Sequence, residues 1–149
     1  MRLGILTAAK NVLSSLEIGA DIIIAPNITW IESARAPLIQ ICEGGSTYPA
    51  QHPLREILTL TIGIFVRIRK DYAQYYEQAL QDETRSIFGI RDTIVAALEG
   101  NNLTNQLTVP LYLAGESGVQ TRQGYPGLLL KMLSFNAERI TSRSNPNGN

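Results

Sequence analysis

A strict alternation of side-chain types from Leu58 to Ile68 is the feature that most constrains how this 149-residue chain folds. The even positions are all aliphatic, whereas the odd positions include threonine, glycine and arginine. Successive side chains of a strand point to opposite faces, so this pattern predicts a long strand with one buried face. The side chains predicted to be buried are Leu58, Leu60, Ile62, Ile64, Val66 and Ile68.

Three further segments predict strands, because apolar residues cluster or alternate between residues typical of turns. They are Pro37–Cys42, Val109–Leu113 and Leu128–Ile140. Pro110 favours an edge position for the second of them. In the last one, the two predicted faces are Leu129, Leu133 and Phe135 against Leu128, Leu130 and Met132.

Helical spacing is found in two segments. Leu3–Leu16 predicts an amphipathic N-terminal helix that ends at Gly19, and Asp71–Gly100 predicts one long helix with Asp71 as its N-cap. Gly89 suggests a kink or a close approach to the sheet, and a break at 82–86 is an alternative to one continuous helix. The segment Asp21–Glu32, with three consecutive isoleucines and Trp30, fits either a strand or an arm.

These elements predict a single α+β domain over residues 1–141, followed by a polar tail at 142–149 that is expected to be disordered. The order of elements predicts a mixed, mainly antiparallel sheet of about four strands. The long helix and the N-terminal helix are expected to pack on one face of this sheet.

Composition excludes several classes of function. Thirteen basic and thirteen acidic residues cancel, which argues against a general nucleic-acid binder. Cys42 and His52 are the only cysteine and histidine, so an intramolecular disulfide is excluded and a His/Cys metal site would need both. No apolar stretch reaches the roughly 18–20 residues of a membrane span. We expect no metal, no cofactor and no membrane association, and synthesis in the cytosol.

Two sequence features could indicate an active site, but both lack essential parts. The loop Gly115–Gly118 has neither the lysine nor the following helix of a phosphate-binding loop. His52 has serines and Cys42 as conceivable nucleophiles, but no third group is evident that would orient it. We expect no catalytic residue and no enzymatic activity.

Two long loops are better candidates for function. Glu43–Pro53 and Ala114–Gly127 are rich in glycine and each contains a Tyr-Pro pair. Loops of this length in a compact domain commonly bind partners. Neither holds a cluster of titratable groups, which favours contact with proteins over turnover of a substrate. The candidate contact residues are Glu43, Tyr48, His52, Glu116, Arg122 and Tyr125.

A small basic patch follows the alternating strand. Arg67, Arg69 and Lys70 could contact a phosphate backbone or the acidic residues of a neighbouring subunit. A strand end that merely improves solubility is an equally compatible interpretation.

The order of these elements resembles the tail terminator proteins of long-tailed bacteriophages, including the minor tail proteins that close the tail tube. The resemblance extends from about Leu3 to Ile140 and is one of pattern and spacing. It consists of an N-terminal helix, a strand that starts at a proline, a long loop, the alternating strand, a long helix, and two strands around a loop. The corresponding segments are Leu3–Leu16, Pro37–Cys42, Glu43–Pro53, Leu58–Ile68, the helix ending in Ile94–Gly100, Val109–Ala114 and Leu128–Ile140.

The resemblance implies a structural protein whose copies form a ring, usually hexameric, on the last ring of the tail tube. Its partners would be further copies of itself, the tail tube protein, and the head–tail connector or neck protein, while DNA would only pass through the channel. It would be assembled in the host cytoplasm and lie at the head-proximal end of the tail in the virion. The two loops would contact the tube, the neighbour or the connector, and the basic patch would face a neighbour or the channel.

Two other functions are compatible with the sequence. Another head–tail joining or neck protein would use the same ring-forming contacts at a different level of the particle. A small α/β enzyme or ligand-binding domain would use a pocket between the two long loops, with convergent polar groups.

Overall fold

The computed structural model describes residues 2–31, 37–49, 55–67 and 86–140, which form a five-stranded mixed sheet with two helices. The helices are α1 (Arg2–Ser14) and α2 (Ile87–Leu98). The strands are β1 (Asp21–Ile24), β2 (Leu38–Thr47), β3 (Arg55–Arg67), β4 (Val109–Glu116) and β5 (Leu128–Ile140). The predicted α+β class is confirmed, whereas the predicted number of about four strands is one too few.

The strands lie in the order β1-β2-β3-β5-β4, and only the β1–β2 pair is parallel within the described residues. At the centre, β3 pairs with β5 from Arg55 to Arg67. We call the two ends of the sheet the Arg55 end and the Arg67 end. The additional strand is β1, which is too short for its isoleucines to show alternation. Edge strand β4 contains Pro110, as the position of this proline predicted.

One face of the sheet carries both helices and the main hydrophobic core. The predicted β3 side chains from Leu58 to Val66 are each at most 6% exposed. The predicted division of β5 is also confirmed, because Leu129 and Leu133 join this core whereas Leu128 packs on the opposite face. Helix α1 differs in detail: it buries Ile5, Ala8, Ala9 and Leu13, while Leu3, predicted to be apolar and inward, is 65% exposed.

The ends of the helices differ from the sequence prediction. Helix α1 ends at Ser14, before Gly19, and the following turn uses Glu17 in a left-handed conformation at φ 55°. Helix α2 has Ser86 as its N-cap, whose hydroxyl oxygen accepts a hydrogen bond from the Gly89 N–H at 2.9 Å. Gly89 is buried, in keeping with a close approach of helix to sheet. The other part of the predicted helix, including Asp71, lies outside the described residues, as do Ile68 and the predicted tail.

Glycine-rich sequence marks a bulge in β2 where we predicted a loop. Strand β2 continues beyond Glu43 to Thr47, with an irregularity of pairing between Glu43 and Ser46. A Cβ atom on Gly44 would lie 2.8 Å from Thr59 Cγ2, and Gly45 has a φ of 99°. Both glycines are therefore required by a bulge in a paired strand, so the loop prediction was wrong for this part.

The opposite face of the sheet is covered at the Arg67 end by the crossover segment 25–31, which follows β1. Ile28 and Trp30 pack there against a cluster that includes Phe65. Gly63 leaves the space for this segment, since a Cβ atom there would lie 2.9 Å from Ile28 Cδ1. The segment Asp21–Glu32, as far as it is described, thus supplies a strand and then a covering arm.

Gln40 fixes this crossover to the sheet. Its side chain is fully buried, its Oε1 accepts from the Thr29 N–H at 2.8 Å, and its Nε2 donates to the Thr29 carbonyl oxygen at 2.9 Å. One amide thereby satisfies both main-chain groups of Thr29.

Within the described ranges, no helix combines the length and hydropathy that a bilayer crossing requires.

We expect Gln40→Met to lower the free energy of unfolding by about 1–3 kcal/mol, because Thr29 loses both hydrogen bonds. The emission of Trp30, the only tryptophan, should shift to longer wavelength in the folded state as the crossover loosens. Urea denaturation followed by fluorescence measures both the free energy of unfolding and the emission wavelength of the folded state. The control is Gln106→Met, which removes one exposed hydrogen bond to the Gly4 carbonyl. Equal effects of the two substitutions would contradict the role given to Gln40.

Candidate functional site: an aromatic and basic cluster

An aromatic and basic cluster, formed by Trp30, Phe65, Arg67, Arg122 and Tyr125, lies at the Arg67 end of the sheet. The Trp30 ring centroid is 5.5 Å from that of Phe65 at an interplanar angle of 80°, an edge-to-face arrangement. It is also 5.5 Å from the ring centroid of Tyr125. On Tyr125 lies the guanidinium of Arg122, whose central carbon is 5.7 Å from the ring centroid.

Two consecutive turns place Arg122 beside Tyr125. The N–H of Tyr125 donates to the Arg122 carbonyl oxygen at 3.1 Å, and the N–H of Leu128 donates to the Tyr125 carbonyl oxygen at 3.2 Å. Gly124 and Gly127 supply the positive φ angles, 90° and 72°, that these turns require. The loop is therefore an ordered element that holds Arg122 over an aromatic ring.

Arg67 joins the end of β3 to the same loop. Its Nη1 donates to the Pro126 carbonyl oxygen at 3.3 Å. The structure thus brings together three residues that the sequence placed in two separate sets: Arg67, Arg122 and Tyr125. Trp30 is not among the predicted site residues. The available signal was the only tryptophan of the chain, between Ile28 and Ile31 in the segment Asp21–Glu32.

Glu116, predicted as a contact residue of the second loop, instead joins α2 to the sheet. Its two carboxylate oxygens accept hydrogen bonds from Arg91 at 2.9 and 3.1 Å, and Lys131 Nζ lies 3.5 Å away. The Arg91 hydrogen bonds hold the pKa of the Glu116 carboxyl below its usual value. The hydrogen bond to Glu116 likewise raises the pKa of Arg91.

The remaining predicted site residues lie elsewhere or are not described. Glu43 is exposed at the bulge of β2. The Tyr48 hydroxyl donates to the buried carboxylate of Glu56, which also pairs with Arg139 at 2.6 Å near the Arg55 end. Three predicted residues lie outside the described residues: His52, Arg69 and Lys70.

The two predicted loops lead to opposite ends of the sheet, although both begin near its middle: Glu43 pairs with Leu60, and Glu116 pairs with Leu133, which pairs with Ile62. Thr47 pairs with Ile57, whereas Leu128, just after the second loop, pairs with Arg67. Ten residues of β3 separate these positions, which corresponds to about 33 Å. Thr47 of the first loop and the end of the second loop are therefore too far apart to line one pocket.

The described part of the chain holds neither a cluster of metal ligands nor an activated thiol. No group of three or more His, Cys, Asp or Glu residues there is arranged to hold a metal ion. The cleft beneath α1 is lined almost entirely by apolar side chains, with Glu43 as its single carboxylate. Burial raises the pKa of the Cys42 thiol, which keeps it protonated and weakly nucleophilic. The chemistry available at the aromatic and basic cluster is that of contact: a guanidinium and aromatic rings.

No protein-family model matches this chain, and the search of curated proteins finds no similar sequence. The function of the chain is therefore inferred from the order of its elements and from the placement of its charged and aromatic side chains.

The ion pairs of Glu116 predict a pH-dependent contribution to stability. Because its pKa is lowered in the folded state, the contribution is present above the unfolded value of about 4.3 and is lost as the pH falls through the folded pKa. The side chain is 34% exposed, so we expect Glu116→Gln to cost at most about 1 kcal/mol at pH 7. The difference from the wild type should decrease as the pH falls below the unfolded value.

Urea denaturation between pH 7 and pH 3 tests this dependence. The control is Asp92→Asn, because Asp92 also binds Arg91 at 2.9 Å but its side chain is 72% exposed. We expect Asp92→Asn to lower the free energy of unfolding by less than Glu116→Gln does. A difference for Glu116→Gln that persists unchanged at pH 3 would contradict the role of the carboxylate charge.

Proposed function

We propose that this chain is a structural subunit that forms a ring on the tail tube of a long-tailed bacteriophage, ends tube growth and offers the docking surface for the head or neck. The observation that carries this proposal is that, in the described part of the chain, the sheet has two unlike edges, β1 and β4. They differ in length, sequence and pairing direction. Unlike edges suit head-to-tail contacts between copies, and such contacts close into rings when the rotation permits.

The order of elements supports the same proposal. Apart from the additional strand β1, the elements follow the order of the segments that resemble tail terminators: α1, β2, β3, α2, and the pair β4–β5 around a loop. Both helices contribute to the core on one face of the sheet. The contact chemistry of the aromatic and basic cluster also suits a protein that acts by binding.

Edge β4 is protected against indiscriminate strand addition. The Leu111 carbonyl oxygen accepts from the Gly100 N–H at 2.8 Å, and the Leu111 N–H donates to the Asn101 carbonyl oxygen at 3.0 Å. The Leu113 N–H donates to Glu99 Oε2 at 3.1 Å. These bonds occupy main-chain groups that would otherwise pair with a foreign strand, so a neighbour on this side must be recognised through side chains.

A head–tail joining or neck protein would use the same ring-forming contacts. It differs from a tail terminator in the partner that it binds. Binding to isolated tail tubes supports a terminator, whereas binding to connector rings without tubes supports a neck protein.

Light scattering of the purified chain, with and without tail tubes, tests the proposal. We expect a ring-sized particle, or density at one end of each tube in electron micrographs. Tubes incubated with this chain should also stop adding tube protein, whereas untreated tubes should continue to grow. A chain that remains monomeric and leaves tubes uncapped and growing would overturn the proposal.

A further inference from the structure

We infer that neighbouring copies of this chain contact each other through two oppositely charged margins of the sheet. The acidic margin is formed by Glu17 and Asp21 beside β1, and the basic margin by Arg122 beside β5. This inference rests on the proposed ring and identifies the surfaces that would join its subunits.

The acidic margin lies at the Arg67 end of the sheet. Asp21 is the exposed first residue of β1 and pairs with Leu38, which in turn pairs with Phe65. Glu17 is exposed in the turn just before β1. Among the described residues, neither carboxylate forms an ion pair. Two uncompensated negative charges therefore lie on this margin, as far as the chain is described.

The basic margin presents one cation in a fixed position. Arg122 is exposed, and its guanidinium lies over Tyr125, which itself packs on Trp30. Support from two packed rings reduces the conformational entropy that Arg122 would lose on forming an ion pair. No carboxylate of the described residues pairs with it.

The two margins of one copy form no ion pair with each other. Strands β2 and β3 separate β1 from β5, so three strand spacings, about 14 Å, lie between these two strands. Both margins are at the Arg67 end: the acidic one at edge strand β1, and the basic one in the loop whose Gln120 pairs with Leu130 on the outer side of β5. A second copy placed side by side in the same orientation brings its acidic margin next to the basic margin of the first. Complementary charge of this kind favours a repeated head-to-tail contact.

DNA is a weaker candidate for the occupant of the basic margin. The chain has no net charge, and Arg67 directs Nη1 to the Pro126 carbonyl oxygen. Binding to a phosphate backbone gains affinity from several cations at once. The geometry therefore favours a second copy of this chain.

Charge reversal tests the contact. We expect Arg122→Glu and Asp21→Arg each to weaken ring formation by at least about tenfold, because like charges then face each other. An equimolar mixture of the two variants should regain assembly, since in an alternating ring every contact again joins opposite charges. One chain that carries both substitutions should assemble as well. Light scattering and electron microscopy with tail tubes measure ring formation by each single variant, by the mixture and by the doubly substituted chain.

Matched controls separate the contact from the fold and from the ring itself. Lys10→Glu, on α1, makes the same change of net charge as Arg122→Glu and should assemble normally. Each variant should keep the wild-type Trp30 emission. If the wild type forms rings and both single reversals do so equally well, the charged contact is overturned while the proposed function stands. If the single variants fail to form rings and their equimolar mixture does not recover assembly, the charged contact is also overturned.

Two further outcomes are informative. A wild type that neither assembles nor caps tubes would overturn the proposed function, and this inference with it. If Arg122→Glu instead abolishes binding of a short DNA duplex, measured by fluorescence anisotropy at low salt, and leaves assembly unchanged, then Arg122 serves DNA and the contact between copies is overturned.

Discussion

The central strand β3 is the element on which the rest of this structure depends. It pairs with β2 on one side and along its whole length with β5 on the other. Its even side chains form the core beneath α1 and α2, while Phe65 on the other face supports the crossover. Because one strand serves both hydrophobic clusters, a displacement of β3 would disturb the helices and the crossover together.

The two faces of the sheet are completed in different ways. The helical face is filled mainly by apolar side chains from Leu58 to Val66, whereas the other face changes from an aromatic cluster at the Arg67 end to polar pairs toward the Arg55 end. There Thr59 Oγ1 donates to Asn136 Oδ1 at 3.0 Å, and Arg55 pairs with Glu138 and lowers the pKa of its carboxyl. Paired polar groups make a partly solvated sheet face stable without a covering element.

The parts of the fold that the sequence predicted are those with a local signal. The alternation in β3, the two faces of β5 and the edge proline of β4 each depend on a few neighbouring residues, and each prediction is confirmed. Strand β1 was left open because four residues are too few to distinguish a strand from an arm. The bulge at Gly44 and Gly45 was misread as a loop because glycine permits both conformations.

The candidate site was only partly predictable because its contacts join distant parts of the chain. Tyr125 and Arg122 were selected from loop composition, and Arg67 from its position at a strand end. These three residues meet, and Trp30 completes the cluster, because the crossover segment returns over the sheet. The ion pair of Glu116 is not predictable for the same reason: its partner Arg91 lies in a helix, and no local pattern links them.

Head-to-tail contact between the charged margins would also give the proposed ring its polarity. Under cyclic symmetry every subunit has the same orientation relative to the axis. The aromatic and basic cluster would then recur at one level of the ring, and the polar Arg55 end, with Tyr112 and Ile140 exposed nearby, at another. A joint between a tail tube and a head must bind two different partners on its two sides. A contact between like faces of two subunits would place both ends of the sheet on each side and remove that distinction, so a two-sided joint favours the head-to-tail arrangement.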